Sequence, residues 1–376
     1  MPRILIVTGE ASGDLHGANL AKAIWTLDPK AELVGIGGSA MRAAGVVLVP
    51  GVPNLDVMGL IGLSAVRALI QRIRAIRKVL KGEPWDLVVL IDNPGLNLHF
   101  ARVAKAAGRR VLYYIAPQIW AWRPRRIKWI QRRVDHVVVI LPFEAEIYHR
   151  AGVRCTFVGH PLLDAVAPEY DRSALRRKFH LNESSPVVGL LPGSRVAEVN
   201  LLLPVLLATA EKLAATEPRT QFILAQASSI EDNLLQYWLK QSPVPVRVAR
   251  DQASEVMAAS DALLIASGTA TLQAAVVGTP MVLVYKIAPL TSYLARWLIR
   301  VKWIGLVNLV AERSIVPEVI QDEVTADRLH EEMRRLLTDS IAYNAMRREL
   351  QQVRGALGEP GASCRAAQVV LTECRA

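Results

Sequence analysis

The 376-residue sequence predicts an α/β protein of two Rossmann-like, doubly wound domains, and three observations carry that reading. Short apolar runs that end in Gly, Pro or Asp alternate with helix-patterned segments along most of the chain. The alternation stops at a polar, proline-bounded stretch, "DAVAPEYDRSALRRKFHLNESSP" (Asp164–Pro186), and then restarts. The apolar runs are continuous rather than alternating, as expected of parallel strands buried on both faces. We therefore place an N-terminal domain over residues 1–168 and a second over 169–350. A C-terminal helix over 351–376 would pack back on the first domain or join a partner subunit as a homodimer.

In chain order, the first half offers "RILIVTG", "AELVGIGG", "DLVVLID", "RRVLYYIAP", "HVVVILP" and "CTFVGHP" as strands. The second half offers "VVGLLPGSR", "TQFILAQAS", "VPVRVAR", "DALLIASGT" and "PMVLVYK". In such sheets ligands bind where strands end and helices begin, so the loops after these runs are where chemistry is expected. The stretch from about residue 327 to 375 reads as charged helix.

Composition narrows the partners. Cys155, Cys364 and Cys374 have no metal-ligand or CxxC spacing, which fits a reducing cytoplasm. Met1-Pro-Arg runs straight into a strand without a signal-peptide pattern, and no apolar run is read as a membrane span. The net charge of +11 is concentrated: Arg67 to Arg133 holds 16 Lys/Arg against Glu83, Asp86 and Asp92. That block suits anionic lipid, a phosphorylated substrate or nucleic acid, or else a solvated helix surface.

Two turns in the second half look built for an anion. In "LLPGSRVAEV", a strand runs into Gly193-Ser194-Arg195 and a helix opens with Glu198 in its first turn. Free N–H groups at a helix start attract phosphate, and arginine adds a two-pronged donor. "ASGTATLQAAVVGTP" repeats the arrangement with Ser267, Gly268, Thr269, Ala270, Thr271 and Gln273. Neither turn is a Walker A loop, and "GIGGSAMRAAG" misses the dinucleotide spacing. A plain capped turn accounts for either loop alone; two at strand ends of one domain point to a diphosphate.

The loop "VTGEASGDLHGA" carries more polar chemistry than a connection needs. Glu10, Ser12, Asp14 and His16 stand at a strand end, with Gly13 among the glycines that permit close approach of a ligand. Helix capping by Ser12 or Asp14 is the simpler reading of the same residues. "PQIWAWRPRRIKWIQRR" interleaves Gln118, Trp120, Trp122 and Trp129 with basic residues, which suits sugar stacking, lipid head groups or single-stranded nucleic acid.

Taken together, "GEASGDLHGA", "GIGGSAMRAAG", "PQIWAW", "GHPLLD", "LLPGSRVAEV", "SGTATL" and "VPEVIQDE" resemble lipid-A-disaccharide synthase, in that family's order and from residue 9 to about 325. The resemblance implies a GT-B fold, two Rossmann-like domains facing a central cleft. It implies an inverting glycosyltransferase of lipid A biosynthesis that joins UDP-2,3-diacylglucosamine to 2,3-diacylglucosamine 1-phosphate by a β(1→6) bond and releases UDP. The donor would sit on the second domain with Asn308 and Gln321 added to its loops. The phosphorylated glycolipid acceptor would sit on the first, near Ser12, Gly13, Asp14, His16, Gln118, Trp120 and Trp122, and nucleic acid drops out as a partner. Asp92 or Glu10 would supply the base. No metal and no cofactor are expected, since there is no DxD pair or His/Asp cluster.

The sequence departs from the family at three places. Gly95 in "IDNPGLN" stands where a second acid is usual, Gln273 where glutamate is, and Val307 where proline is. The readings left beside the first are a different UDP-sugar enzyme of the same fold, such as an epimerase, and an inactive membrane-associated UDP-sugar binder. Val57–Lys81 and Pro289–Leu306 each pair an apolar stripe with arginines, so an anionic membrane surface is an expected partner and the location is cytoplasmic, peripheral on the inner membrane. An ordinary core stripe is the other account of these helices.

Overall fold

The computed structural model describes residues 1–50, 52, 63–116, 118–122, 124–287 and 302–375. Its contacts divide the chain into Met1–Pro161 with Gly358–Ala376, and Leu162–Leu357. The polar stretch at which the strand–helix alternation stops contributes two short helices, Leu162–Ala165 and Arg172–Lys178, to the second unit. Asp171 caps the latter through the backbone N–H of Ala174, and Arg176 clamps Asp261 at 2.7 Å. A polar composition here marks capping and ion pairing, not a free connection.

The first unit is a seven-stranded parallel sheet in the order β3-β2-β1-β4-β5-β6-β7. The strands are β1 Arg3–Thr8, β2 Glu32–Ile36, β3 Val47–Leu48, β4 Leu87–Ile91, β5 Arg110–Tyr114, β6 His136–Val139 and β7 Cys155–Phe157. Ile4 pairs with Leu33 on one side and Leu87 on the other, and β4 is buried along its whole length. Leu5, Val7, Val88 and Leu90 feed one core, while Ile4, Ile6, Val89 and Ile91 feed the other, the two-residue period of a sheet covered on both faces.

The second unit is a six-stranded parallel sheet, β10-β9-β8-β11-β12-β13. Its strands are β8 Val187–Leu191, β9 Gln221–Gln226, β10 Val246–Arg250, β11 Ala262–Ala266, β12 Met281–Tyr285 and β13 Glu318–Ile320. Both sheets start at a central strand, wind outward and then reverse. The reversal opens a crevice between β1 and β4 in one and between β8 and β11 in the other.

Helix Val196–Thr216 corrects the reading that no run is long and apolar enough to span a bilayer: it has 21 residues and a mean hydropathy of 1.4. Val199, Leu202, Leu203, Leu206 and Leu213 are buried within the second unit, so its hydropathy is that of a core helix. The C-terminal helix Ala362–Arg375 packs Ala366, Ala367, Val370 and Leu371 into the same core as Ala18, Leu20 and Ile24 of helix Ala11–Leu27. Its Glu373, with no exposed side-chain surface, accepts from Arg110 at 2.6 Å and pairs with Arg154 at 2.7 Å and His136 Nδ1 at 3.0 Å. All three cysteines are free, and burial pushes Cys155 and Cys374 up to about 12.

Candidate active site

In the second unit a cavity of about 550 Å³ opens at the β8/β11 crevice. The turn after β8 supplies Gly193, Ser194, Arg195 and Glu198; the turn after β11 supplies Ser267, Gly268, Thr269, Ala270 and Gln273. Gly193 has φ +110, and a Cβ there would lie 2.6 Å from a Glu198 carboxylate oxygen, so only glycine makes this turn without displacing Glu198. The Arg195 guanidinium is largely exposed and donates to Glu198 at 2.8 Å. Gln273 donates to Ser254 Oγ at 2.6 Å, which orients its amide on the cavity wall.

The remaining residues expected there do something else. Thr271 is buried and its hydroxyl donates to Gly268 O at 2.8 Å, closing the turn from inside. Asn308 is fully buried with its amide spent: Nδ2 donates to Val316 O and Glu318, and Oδ1 accepts from Ile315 and Val316 N–H. Gln321 accepts from the Ile287 N–H at 3.3 Å and is not among the residues lining the cavity. Residues the loop motifs did not reveal are Gln226, Ser228, Asp251, Ser254 and Glu255, brought in by β9 and β10. Tyr285, at the end of β12, joins them electrostatically: burial raises its phenol pKa, Glu198 adds to the rise and Arg195 opposes it.

In the first unit the loops after β1 and β4 press together at the crevice. A Cβ on Gly9 would fall 2.3 Å from Asn93 Nδ2, so this approach needs glycine. Glu10, at the N-cap of helix Ala11–Leu27, and Ser12, in its first turn, are exposed, and neither Ser12 nor Asp14 caps that helix. Asp14 is 4% exposed and reaches across to accept from Gly38 N at 2.6 Å, Ala40 N at 2.8 Å and Met41 N at 3.4 Å. The acidic loop and the "GIGGSAM" turn are thus one structure, a carboxylate seated on the start of helix Ser39–Ala43. Its oxygens accept from backbone N–H groups of the neighbouring turn, so Asp14 holds the two loops together. Asp14→Ala should destabilise the protein by about 3 kcal/mol, the scale of losing charge-assisted hydrogen bonds from a buried site, read as a lower urea midpoint.

Asp92 and Asn93 both adopt the left-handed region, with φ 51 and φ 43. The Asp92 carbonyl accepts from Asn97 Nδ2 at 2.7 Å and Tyr113 OH at 2.6 Å, which fixes this strained corner. His16, one turn into its helix, is half-buried; burial lowers its pKa and the Asp92 charge opposes that. His160, from "GHPLLD", is buried and held down to about 4 by burial and by His16. Gly13 is buried beside Thr8 and Ile91. Gln118 is exposed, whereas Trp120 donates its indole N–H to Glu144 at 3.1 Å and packs edge-on to Phe143. Burial pushes Glu144 up to about 7. The side chain of Trp122 and residues 53–62 and 288–301 lie outside the described residues, so the start of one amphipathic segment and most of the other go with them. Among the described residues no group of His, Cys, Asp or Glu could hold a metal ion.

The chain is 44% identical over 371 residues to lipid-A-disaccharide synthase of Trichlorobacter lovleyi, covering 98% of this chain and 97% of that one. It is 46% identical over 370 residues to lipid-A-disaccharide synthase of Geobacter metallireducens, covering 98% and 96%. Among solved structures it is similar to the UDP-GlcNAc 2-epimerase of Neisseria meningitidis bound to UDP-GlcNAc, with TM-score 0.66, 12% identity, and 98% and 100% of the two chains covered. That likeness shows two Rossmann-like domains in one chain. The lipid-A-disaccharide synthetase family model matches residues 4–372, nearly the whole chain, and with relatives this similar over their full length the chain belongs to the lipid-A-disaccharide synthase family.

Proposed function

We propose that the protein transfers a diacylglucosamine from its UDP derivative to 2,3-diacylglucosamine 1-phosphate, with inversion and a new β(1→6) bond, releasing UDP. The observation that carries the reading is the second unit's cavity, where two glycine turns and Arg195 converge at the β8/β11 reversal. Gly193, Ser194 and the start of helix Thr269–Val277 would cradle the diphosphate, and Arg195 would neutralise the charge that builds as UDP departs. Glu198, Ser267 and Gln273 would orient the nucleoside sugar. On the first unit Glu10, Ser12, His16, Asp92, Gln118 and Trp120 would serve the acceptor, with Asp92 or Glu10 nearest to a base.

A lipid substrate requires contact with a membrane. Helix Leu63–Gly82 exposes Leu69 and Ile70, and helix Ile127–Arg133 exposes Trp129 stacked on Arg133 at 5.0 Å. Arg77, Arg102 and Arg133 crowd around His99 and depress it further after burial. Apolar side chains beside uncompensated arginines fit peripheral binding to an anionic leaflet.

Purified protein given both lipid substrates in detergent should release UDP and form the disaccharide in equal amounts. UDP binding without product would mean an inactive binder, and failure to bind UDP would overturn the reading.

A further inference from the structure

At the first unit's crevice the chain leaves β4 through two consecutive non-glycine residues in the left-handed region, Asp92 at φ 51 and Asn93 at φ 43. Such a backbone is unfavourable for a residue with a side chain and persists only where its surroundings hold it. Three contacts do so here. The Tyr113 hydroxyl, on the neighbouring strand β5, donates to the Asp92 carbonyl at 2.6 Å. Asn97 Nδ2, from helix Pro94–Ala106, donates to the same carbonyl at 2.7 Å and to Ile91 O at 2.9 Å. Asn93 lies so close to Gly9 of the β1 loop that no Cβ fits between them. Both donors are interior: Tyr113 has no exposed surface and Asn97 is 1% exposed. Burial, with the Asp92 charge adding to it, raises the Tyr113 pKa, so its hydroxyl keeps the proton that it donates. The Asp92 side chain is treated in the opposite way. It is half-buried, and among the described residues its carboxylate has neither a hydrogen bond nor an ion pair. A glycine would make this turn at no steric cost, so the turn by itself does not call for an aspartate. Glu10, across the crevice, sits in ordinary extended backbone, with φ −146 and ψ 165, and no comparable device holds it.

Resting on the glycosyl-transfer reading above, we propose that Tyr113 and Asn97 are positioning residues of the reaction: they clamp the Asp92 carbonyl, and so hold an unpaired carboxylate at the crevice as the proton acceptor. The acceptor hydroxyl oxygen bonds to the donor's anomeric carbon while the bond from that carbon to the diphosphate oxygen breaks, and the electron pair leaves with UDP. The hydroxyl proton passes to the Asp92 carboxylate and from there to water. Strain is what makes the clamp necessary. With one donor gone, the peptide after Asp92 can turn out of the left-handed region, and the carboxylate moves with it. A displacement of about 1 Å at a reacting group lowers a rate by about 10²-fold.

The test is a double-mutant cycle on disaccharide formation by the full chain: wild type, Tyr113→Phe, Asp92→Asn and the two together, with UDP affinity and thermal unfolding measured in parallel. Asp92→Asn keeps a residue that tolerates the left-handed region and removes the base, so kcat should fall about 10²–10⁴-fold. Tyr113→Phe should lower kcat about 10- to 100-fold and leave UDP affinity and the KM of both lipid substrates within about threefold. In the Asp92→Asn background it should add less than about twofold, because the hydroxyl acts only through Asp92. A residue that merely supports the fold would lower both backgrounds alike. Losses that multiply, a loss confined to KM, or a Tyr113→Phe enzyme within about threefold of wild type each overturn the proposal. Should Tyr113→Phe fail to fold, Asn97→Ser decides by the same cycle, and collapse of both variants makes the donors structural and overturns it as well. Asp92→Asn at the wild-type rate overturns it while leaving glycosyl transfer standing. A wild-type enzyme that forms no disaccharide overturns the glycosyl-transfer reading itself, a failure distinct from one confined to the variants.

Discussion

Arg195→Ala is expected to lower kcat/KM for disaccharide formation by about 10²–10³-fold while leaving the unfolding temperature nearly unchanged. The size follows from the role proposed for Arg195: removing one charged donor at a departing oxyanion costs about 3–4 kcal/mol in comparable sites. The insensitivity of stability follows from its surroundings. The side chain is largely exposed and its ion pair with Glu198 spans one helical turn on the surface, a contact of small net worth. Arg195→Lys should recover only part of the rate, since an ammonium keeps the charge and loses the planar fork. Steady-state kinetics with the UDP-linked donor separates the cases: a loss in kcat marks stabilisation of leaving UDP, and a loss confined to KM would make Arg195 a binding residue only.

Glu373→Ala should be the most destabilising single change in the first unit, by about 3–5 kcal/mol, because it strips the counter-charge from partners around an enclosed carboxylate. Burial pushes this carboxyl up, and the hydrogen bonds from His136 and Arg110 with the charge of Arg154 outweigh it, so its pKa lies below the ordinary glutamate value. A carboxyl depressed by folding contributes stability that is full above its unfolded pKa and fades as pH falls through its folded one. The gap between wild type and Glu373→Gln should therefore be widest near neutrality and narrow below about pH 4. Urea unfolding at pH 7 and pH 4 measures both arms; a gap that stays constant would mean that packing, not charge, holds the helix.

Much of the architecture is legible in the sequence because parallel strands buried on both faces read as unbroken apolar runs. "ILIV", "LVVLI", "VVGLL" and "ALLIA" all fall on strands. β3, with two residues, and β13, with three, are too short to leave a run. The turns after β8 and β11 are legible for a related reason, since each is local and glycine marks it. What meets a turn from elsewhere is set by the order of strands, which no window of sequence contains. Ser254 and Asp251 reach the cavity of the second unit, Tyr285 feels Glu198 and Arg195, and His160 acts on His16, only through that order. Asn308 and Asp14 show the opposite case. Both are polar residues in motif positions, and both accept from backbone N–H groups of neighbouring segments, contacts visible only once those groups are in place.

The return of the C-terminal helix makes the second unit an insertion within the first. On a ribosome, which releases the chain from its N terminus, the unit that begins first is therefore completed last. The face of β4 and β5 that Ala366, Val370 and Leu371 cover waits uncovered through the synthesis of residues 162–357, and Arg110 and His136 wait as long for Glu373. During that interval the nascent chain carries an apolar sheet face and polar side chains without their carboxylate, a window in which a chaperone has something to hold.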